Sequence, residues 1–357
     1  ARIAAADEIW VSSAHNLESL VRSGVPRTKI RVIPVALETS RYERRALPLE
    51  WADPTRFTFL SCFDVSLRKG WDLLLKAFLQ EFKPVDDVGL LLNLHSSNGA
   101  DRAYLAAHVD RWARRFAGPE WIDEHGNWRS GRSPICCIPR ELHADEMPSL
   151  YQSGDAYVLA SRGEGWAIPA MEAMASGLPV IATAWGGHME YMNDRNTFLV
   201  PYRLVPVSSD ACREAALFTG QMWAEPNLDG LRKQMRFVRE NPDAALVRGI
   251  AAKETILSNY SREAVNVRVL SRLREISNSG RAPVVRTKSH RTAKRQIVWE
   301  GCQLFQSSLA LVNRELVGHL DQSGEYALHL LSSEPRPDPS VCHPRLARRL
   351  QKLMDGR

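Results

Sequence analysis

Short apolar runs of strand length alternate with helical stretches along most of the chain, which predicts an α/β fold built on a parallel, doubly wound sheet. Three segments carry that expectation. Phe57 to Cys62 is an apolar run followed by a turn and a helical stripe; Asp155 to Ala160 is followed by a Gly-rich loop and a short helix; Pro179 to Thr183 follows that helix. With 357 residues, 44% hydrophobic and 25% charged, the chain has ordinary globular usage and room for two or more domains.

The elements follow in order. Residues 6 to 13 read as a strand, Ala14 to Ser23 as a helix and Ile30 to Val35 as a second strand. After the strand Phe57 to Cys62, Arg68-Lys69-Gly70 forms a turn, and Trp71 to Phe82 is a helix with Trp71, Leu74, Leu75, Phe78, Leu79 and Phe82 on one 3.6-residue stripe. Val88 to Leu94 and Ile135 to Ile138 are further strands, and Tyr104 to Phe116 is a basic amphipathic helix between them. The Trp- and Arg-rich stretch Asp101 to Ser133 reads as helix plus surface loop, with no functional assignment. Leu142 to Tyr151 is a capped turn and helix that feeds the strand Ala156 to Ala160.

Glu164 and Glu172, separated by seven residues, frame the loop and helix between two of these strands. Pro169 suits the first helical position, where its missing N–H costs nothing, and Gly177 suits the stop. Gly163 and Gly165 allow close backbone approach to a ligand, and a helix N-terminus beside them attracts anions, phosphate above all. A carboxylate is an acceptor only, matched to sugar and ribose hydroxyls. The plain alternative is a solvated loop residue at Glu164 and a dipole-favoured charge at Glu172. Lys69 sits where a strand ends and a helix begins, the edge of an open α/β sheet that binds ligands. A third element, Trp185-Gly186-Gly187-His188, follows the strand Pro179 to Thr183, and its paired glycines suit close approach. His188 reads equally as a ligand contact or a structural residue.

The run Glu164-Gly-Trp-Ala-Ile-Pro-Ala-Met-Glu172, continuing through Ala-Met-Ala-Ser-Gly-Leu-Pro-Val-Ile-Ala to Thr183, resembles the signature of the retaining glycosyltransferases of family 4, group 1 glycosyl transferases with two Rossmann-like domains in the GT-B arrangement. The likeness extends through most of residues 1 to 277. It implies a complete C-terminal domain that binds the nucleotide-sugar donor, a UDP- or GDP-sugar, and only part of an N-terminal acceptor domain. By that resemblance Glu172 holds the ribose, Glu164 contacts the transferred sugar, and the backbone of Gly165, Trp166, Ala167 and Ile168 lies beside sugar and diphosphate. Lys69 neutralises the diphosphate, and Gly186 and Gly187 line the donor. The family often carries Gly-Arg about five residues before this lysine; here Phe63-Asp64 stands instead, so Arg68 supplies the second charge or none does. The family's late helix falls on Trp223 to Asn241 and its last on Ser261 to Ser277.

The resemblance implies transfer with retention to a saccharide or lipid-linked acceptor, as in polysaccharide biosynthesis. No Asp-x-Asp pair occurs, so neither a metal nor another cofactor is expected. A GT-B-like nucleotide-sugar epimerase and a non-catalytic donor-binding module remain as other readings. The expected organisation is residues 1–50 as the end of the acceptor domain, 51–277 as the donor domain, 278–295 as a linker and 296–357 as the opening of a second module. That last segment reads β-α-β, with strands Gln296 to Gly301 and Tyr326 to Leu331 around a helix from Gln303 to Leu320. Trp299-Glu300-Gly301 and Ser307 to Glu315 resemble the opening of another glycosyltransferase N-terminal domain, so the expectation is either a piece of a tandem bacterial enzyme or a C-terminal structural extension.

The net charge of +6 is uneven: Arg281, Arg286, Lys288, Arg291, Lys294 and Arg295 crowd the linker with no acidic residue. Without aromatic interleaving this reads as a solvated linker with at most weak membrane-surface contact and no nucleic-acid partner. Apolar stretches fall short of the roughly 20 residues of a membrane span. The six cysteines form no Cys-x-x-Cys pair, which points to reduced thiols and a cytoplasmic place, peripheral at the inner membrane face if the acceptor is lipid-linked.

Overall fold

The computed structural model describes residues 6–278 apart from 45, 52, 54, 55, 97–99 and 132, together with 295–300, 317, 321, 326–331 and 344–354. It divides into two compact units, one of residues 1–32 and 39–257, the other of residues 33–38 and 258–357.

In the first unit, β1 (Ile9–Val11) pairs in parallel with β2 (Ile30–Val32) across α1 (Ala14–Arg22). Ser13 starts that helix, its Oγ accepting the Asn16 N–H at 3.2 Å. A short α2 (Ser40–Glu43) leads to the main α/β region. There β3 (Phe57–Asp64), α3 (Trp71–Glu81), β4 (Val88–His95), α4 (Arg102–Phe116) and β5 (Ile135–Cys137) make one half. The other half is α5 (Met147–Gln152), β6 (Ala156–Leu159), α6 (Ile168–Ala175), β7 (Val180–Thr183) and β8 (Phe198–Val200).

The six strands form one sheet in the order β5-β4-β3-β6-β7-β8, and every pairing is parallel. Parallel sheets need cover on both faces, and β6 and β7 are buried at every residue. The chain winds outward from β3 to β5, then returns to the middle and winds the other way from β6 to β8. Loops leaving the carboxyl ends of β3 and β6 therefore diverge, and ligands of open α/β sheets sit in the crevice this creates.

The stripe predicted for α3 is its buried face: Trp71, Leu74, Leu75, Phe78 and Leu79, with Phe82 just beyond. Phe59 of β3 meets Phe78 and Phe82 at ring distances of 6.4 and 5.4 Å. Each such side chain contributes about 1.5–3 kcal/mol of burial free energy. The Trp-rich stretch closes over this helix: Trp121 Nε1 donates to the carbonyls of Leu79 and Phe82, at 3.2 and 3.0 Å, near the helix end where such groups lack intrahelical partners. Trp128 is buried too and donates to Asp110 at 3.0 Å, so the loop's role is structural.

One element departs from the sequence reading. Instead of a single helix over Trp223 to Asn241, an antiparallel hairpin pairs β9 (Tyr202–Pro206) with β10 (Met222–Pro226), and α7 (Ser209–Glu214) lies between them. The helix, α8 (Leu228–Glu240), begins only after Pro226, where Asn227 Oδ1 accepts the Gly230 N–H at 2.6 Å. Then follow α9 (Pro242–Tyr260) and α10 (Arg262–Asn278), close to the expected final helix.

In the second unit Leu37 exchanges backbone hydrogen bonds with Tyr260 and Arg262, at 2.9 and 3.0 Å. There β11 (Arg295–Glu300) and β12 (Tyr326–Leu331) pair in parallel, and α11 (Pro344–Met354) packs on β12. Parallel pairing requires a crossover connection. The expected helix Gln303 to Leu320 and the basic linker lie almost wholly outside the described residues. Among the described residues no helix is long and apolar enough to cross a membrane.

Candidate active site

Three loops meet at the carboxyl edge of the sheet, and glycines set how closely they approach. After β3 the chain makes a tight turn at Leu67–Lys69 and enters α3 through Gly70, whose φ of 66° is left-handed. A Cβ on Gly70 would lie 1.8 Å from the Ala160 carbonyl oxygen, so only glycine fits. The Arg68 carbonyl accepts the Arg162 N–H at 2.8 Å and the Ser161 hydroxyl at 3.1 Å, fastening this turn to the loop after β6. From the other side, the Gly187 N–H donates to the Glu164 carbonyl at 2.7 Å, and a Cβ on Gly187 would lie 1.8 Å from the Gly165 carbonyl oxygen.

This junction brings Lys69 and Glu164 together from elements 95 positions apart: Lys69 Nζ donates to Glu164 Oε1 at 2.6 Å. Arg68 Nη1 lies 3.7 Å from Glu164 Oε2 and donates to the Gly163 carbonyl at 2.6 Å, so a second positive charge stands beside Glu164. Burial pushes the Glu164 carboxyl up, but the charges of Lys69 and Arg68 outweigh it and hold the group below the usual glutamate range. Glu164 is therefore an ionised, buried carboxylate. The helices α3 and α6 open beside this pair, and neither has a side-chain cap at its N-terminus.

The loop into α6 presents backbone. The side chains of Trp166, Ala167 and Ile168 are buried, and Trp166 Nε1 donates to Met171 Sδ at 3.1 Å. Ala167 has φ 68°, a left-handed conformation that costs a non-glycine residue about 1–2 kcal/mol. It is held there by Tyr191 Oη, which lies 2.7 and 2.8 Å from the carbonyls of Trp166 and Ala167. The Gly165 carbonyl accepts Asn16 Nδ2 at 3.1 Å.

Glu172 lies apart from the Lys69–Glu164 pair, in a pocket of phenols. Tyr42 Oη donates to Oε1 and Tyr151 Oη to Oε2, both at 2.7 Å. Burial raises its pKa, against the lowering effect of the two phenol hydrogen bonds and of Arg41. His188 is sealed from solvent beneath the Gly186–Gly187 turn. Its Nε2 lies 2.7 Å from the Thr183 carbonyl, and since a carbonyl only accepts, Nε2 carries the proton. Burial lowers its pKa and keeps the ring neutral, so His188 braces the turn.

Three residues of this site carried no sequence signal. Arg162, nearly buried, bonds Asp72 bidentately at 2.7 and 2.8 Å, bonds Glu225 at 2.5 Å, and stacks on Trp223 at 4.9 Å, tying α3, the site loop and β10 together. Tyr42 and Tyr151 stand 130 and 21 positions from Glu172, too far for any spacing rule.

Comparison with known proteins gives a concordant result. Residues 54–216 match the family described as glycosyl transferases group 1. The mannosylfructose-phosphate synthase of Agrobacterium fabrum is 44% identical over 189 residues, which is 51% of this chain and 38% of that protein. Thus the chain spans well under two thirds of this relative's length. Among solved structures, sucrose-phosphate synthase from Thermosynechococcus elongatus superposes with a TM-score of 0.56 at 19% identity, over 77% of this chain and 59% of that one. Anabaena HepE, in complex with UDP and glucose, superposes with a TM-score of 0.56 at 16% identity, over 76% of this chain and 64% of that one.

Proposed function

Residues 54–216 belong to the glycosyl transferases group 1 family, on a fold of GT-B type, and from that premise we propose that they carry the donor site of an enzyme that moves a sugar from a nucleotide-sugar to a saccharide or lipid-linked acceptor. The observation that carries this reading is the Lys69–Glu164 pair, 2.6 Å apart at the switch point of the sheet.

Breaking the anomeric C–O bond of the donor develops negative charge on the leaving diphosphate, so catalysis requires positive potential fixed there in advance. Lys69, Arg68 and the uncapped N-termini of α3 and α6 supply it. With that potential built from protein groups, we propose metal-independent transfer. Glu164, ionised and buried, accepts a hydroxyl of the transferred sugar on the face where the departing phosphate leaves, in keeping with retention by front-face attack. Gly165 to Ile168, Gly186 and Gly187 shape the donor pocket with backbone. Glu172 accepts the ribose hydroxyls: an ionised carboxylate has about four lone-pair sites, and the tyrosines use two of them.

Calorimetric titration of the chain with UDP, UDP-glucose, GDP and GDP-mannose tests the reading, uridine first because HepE was solved with UDP. Binding to one nucleotide pair is expected, unaffected by EDTA. Glu172→Ala removes hydrogen bonds to a charged group, each contributing about 1.5–3 kcal/mol, so affinity is expected to fall at least about tenfold. Unchanged affinity in that variant refutes the ribose role.

A further inference from the structure

Glu172 is only 8% exposed, yet among the described residues it makes no ion pair. Both of its oxygens are held by neutral donors. The difference matters chemically, because an arginine or lysine partner would cancel the carboxylate's charge, whereas phenols fix its orientation and leave that charge to attract hydroxyl protons. The phenols are themselves held. Tyr151 is fully buried and packs against Tyr157 at a ring distance of 6.2 Å, and Tyr157 Oη lies 3.3 Å from both the N–H and the carbonyl of Cys62. Tyr42 meets the Tyr151 ring edge-on at 5.9 Å.

We propose that Tyr42 and Tyr151 are positioning residues for nucleotide recognition: they hold the Glu172 carboxyl group fixed in rotation, with a lone pair on each oxygen left for a ribose hydroxyl. This rests on the ribose reading of Glu172. Tyr42 precedes residue 54, where the family match begins, so the nucleotide site is completed from outside the matched segment.

The groups facing Glu172 are Tyr42 and Arg41 from α2, Tyr151 from α5, Cys62 from β3 and Tyr157 from β6. Burial raises the three phenols well above their ordinary values, and it raises the Cys62 thiol as well. None of these ionises near neutral pH, so Glu172 is the titrating member of the cluster. Its pKa is raised by burial and pulled back by the two phenols and Arg41. Removing one phenol lets it rise further, and a protonated Glu172 loses acceptor capacity for ribose.

The test is the pH dependence of UDP-glucose and GDP-mannose affinity, ligands whose diphosphates stay fully ionised over the range, measured by titration calorimetry between pH 5 and pH 8 on the chain and on Tyr42→Phe, Tyr151→Phe and Glu172→Gln. In the unaltered protein, affinity is expected to fall on acidification as Glu172 protonates. Each phenylalanine variant keeps the ring, and is expected to move the midpoint of that fall upward, because the lost phenol hydrogen bond lowered the Glu172 pKa. Glu172→Gln is expected to abolish the step. Midpoints that stay in place in both phenylalanine variants, while Glu172→Gln abolishes the step, overturn the positioning role and leave the ribose reading intact. Full affinity and an unchanged step in Glu172→Gln, or no nucleotide binding at all, overturn the ribose reading and this inference with it.

Discussion

Lys69→Met isolates the central ion pair. In the folded protein Lys69 Nζ is 2.6 Å from Glu164 Oε1, and the Glu164 side chain is 6% exposed. Methionine fills most of the lysine's space and leaves the carboxylate with Arg68 alone, a third exposed and 3.7 Å away. Stranding one member of a buried pair costs about 3–5 kcal/mol. Arg68's residual attraction and the lysine's own partial exposure reduce that to about 2–3 kcal/mol. The double variant Lys69→Met with Glu164→Gln has no stranded charge and is expected to lose only about 1 kcal/mol, roughly 1.5 kcal/mol less than Lys69→Met alone, and the Glu164→Gln single variant completes the cycle that gives the coupling. Urea unfolding of the four proteins at pH 7 measures this. The pH dependence adds a sign: Glu164's pKa is depressed on folding, so its stabilising contribution is present above the unfolded value of about 4.3 and lost as pH falls through the folded value. The gap between the unaltered protein and Lys69→Met should therefore close as pH falls through that folded value. A double variant as unstable as the single one, or a gap that persists in acid, would show that the pair contributes nothing specific.

Two further outcomes follow from the same junction. Arg162→Met removes a guanidinium that satisfies Asp72 and Glu225 and should cost about 3–5 kcal/mol in urea unfolding, with Arg162→Lys recovering only part of it because a lysine cannot form the bidentate fork. Gly187→Ala places a methyl group 1.8 Å from the Gly165 carbonyl oxygen, and should lower stability by about 2 kcal/mol or more and weaken nucleotide binding together with it in calorimetry; normal binding and stability would mean the two loops are not in contact.

Much of this architecture was legible from local pattern. The stripe from Trp71 to Phe82 fixes a helix because its spacing matches one face, and the Gly-rich loop before Pro169 fixes where the next one starts. The placement of Lys69, Glu164 and the paired glycines at one edge of the sheet was legible because each follows a strand in sequence. The β9–β10 hairpin was not: Trp223-Ala224-Glu225 is too short for a period to show, and its pairing partner lies about twenty residues upstream. Pro226 and Asn227 were the local signals that the helix starts later. Equally hidden were Arg162 and the two tyrosines, since what they touch is decided by tertiary packing. A buried arginine at one loop position looks in sequence like any surface arginine.

The two tight glycine approaches have a mechanical consequence. Gly70 abuts the backbone at Ala160 and Gly187 abuts it at Gly165, so the loop bearing Glu164 is gripped at both ends by backbone, where no rotamer change can give way. Loops gripped in this manner travel as a single plate. Any displacement of this junction would therefore carry Lys69, Glu164 and the glycine turn along together, preserving their spacing.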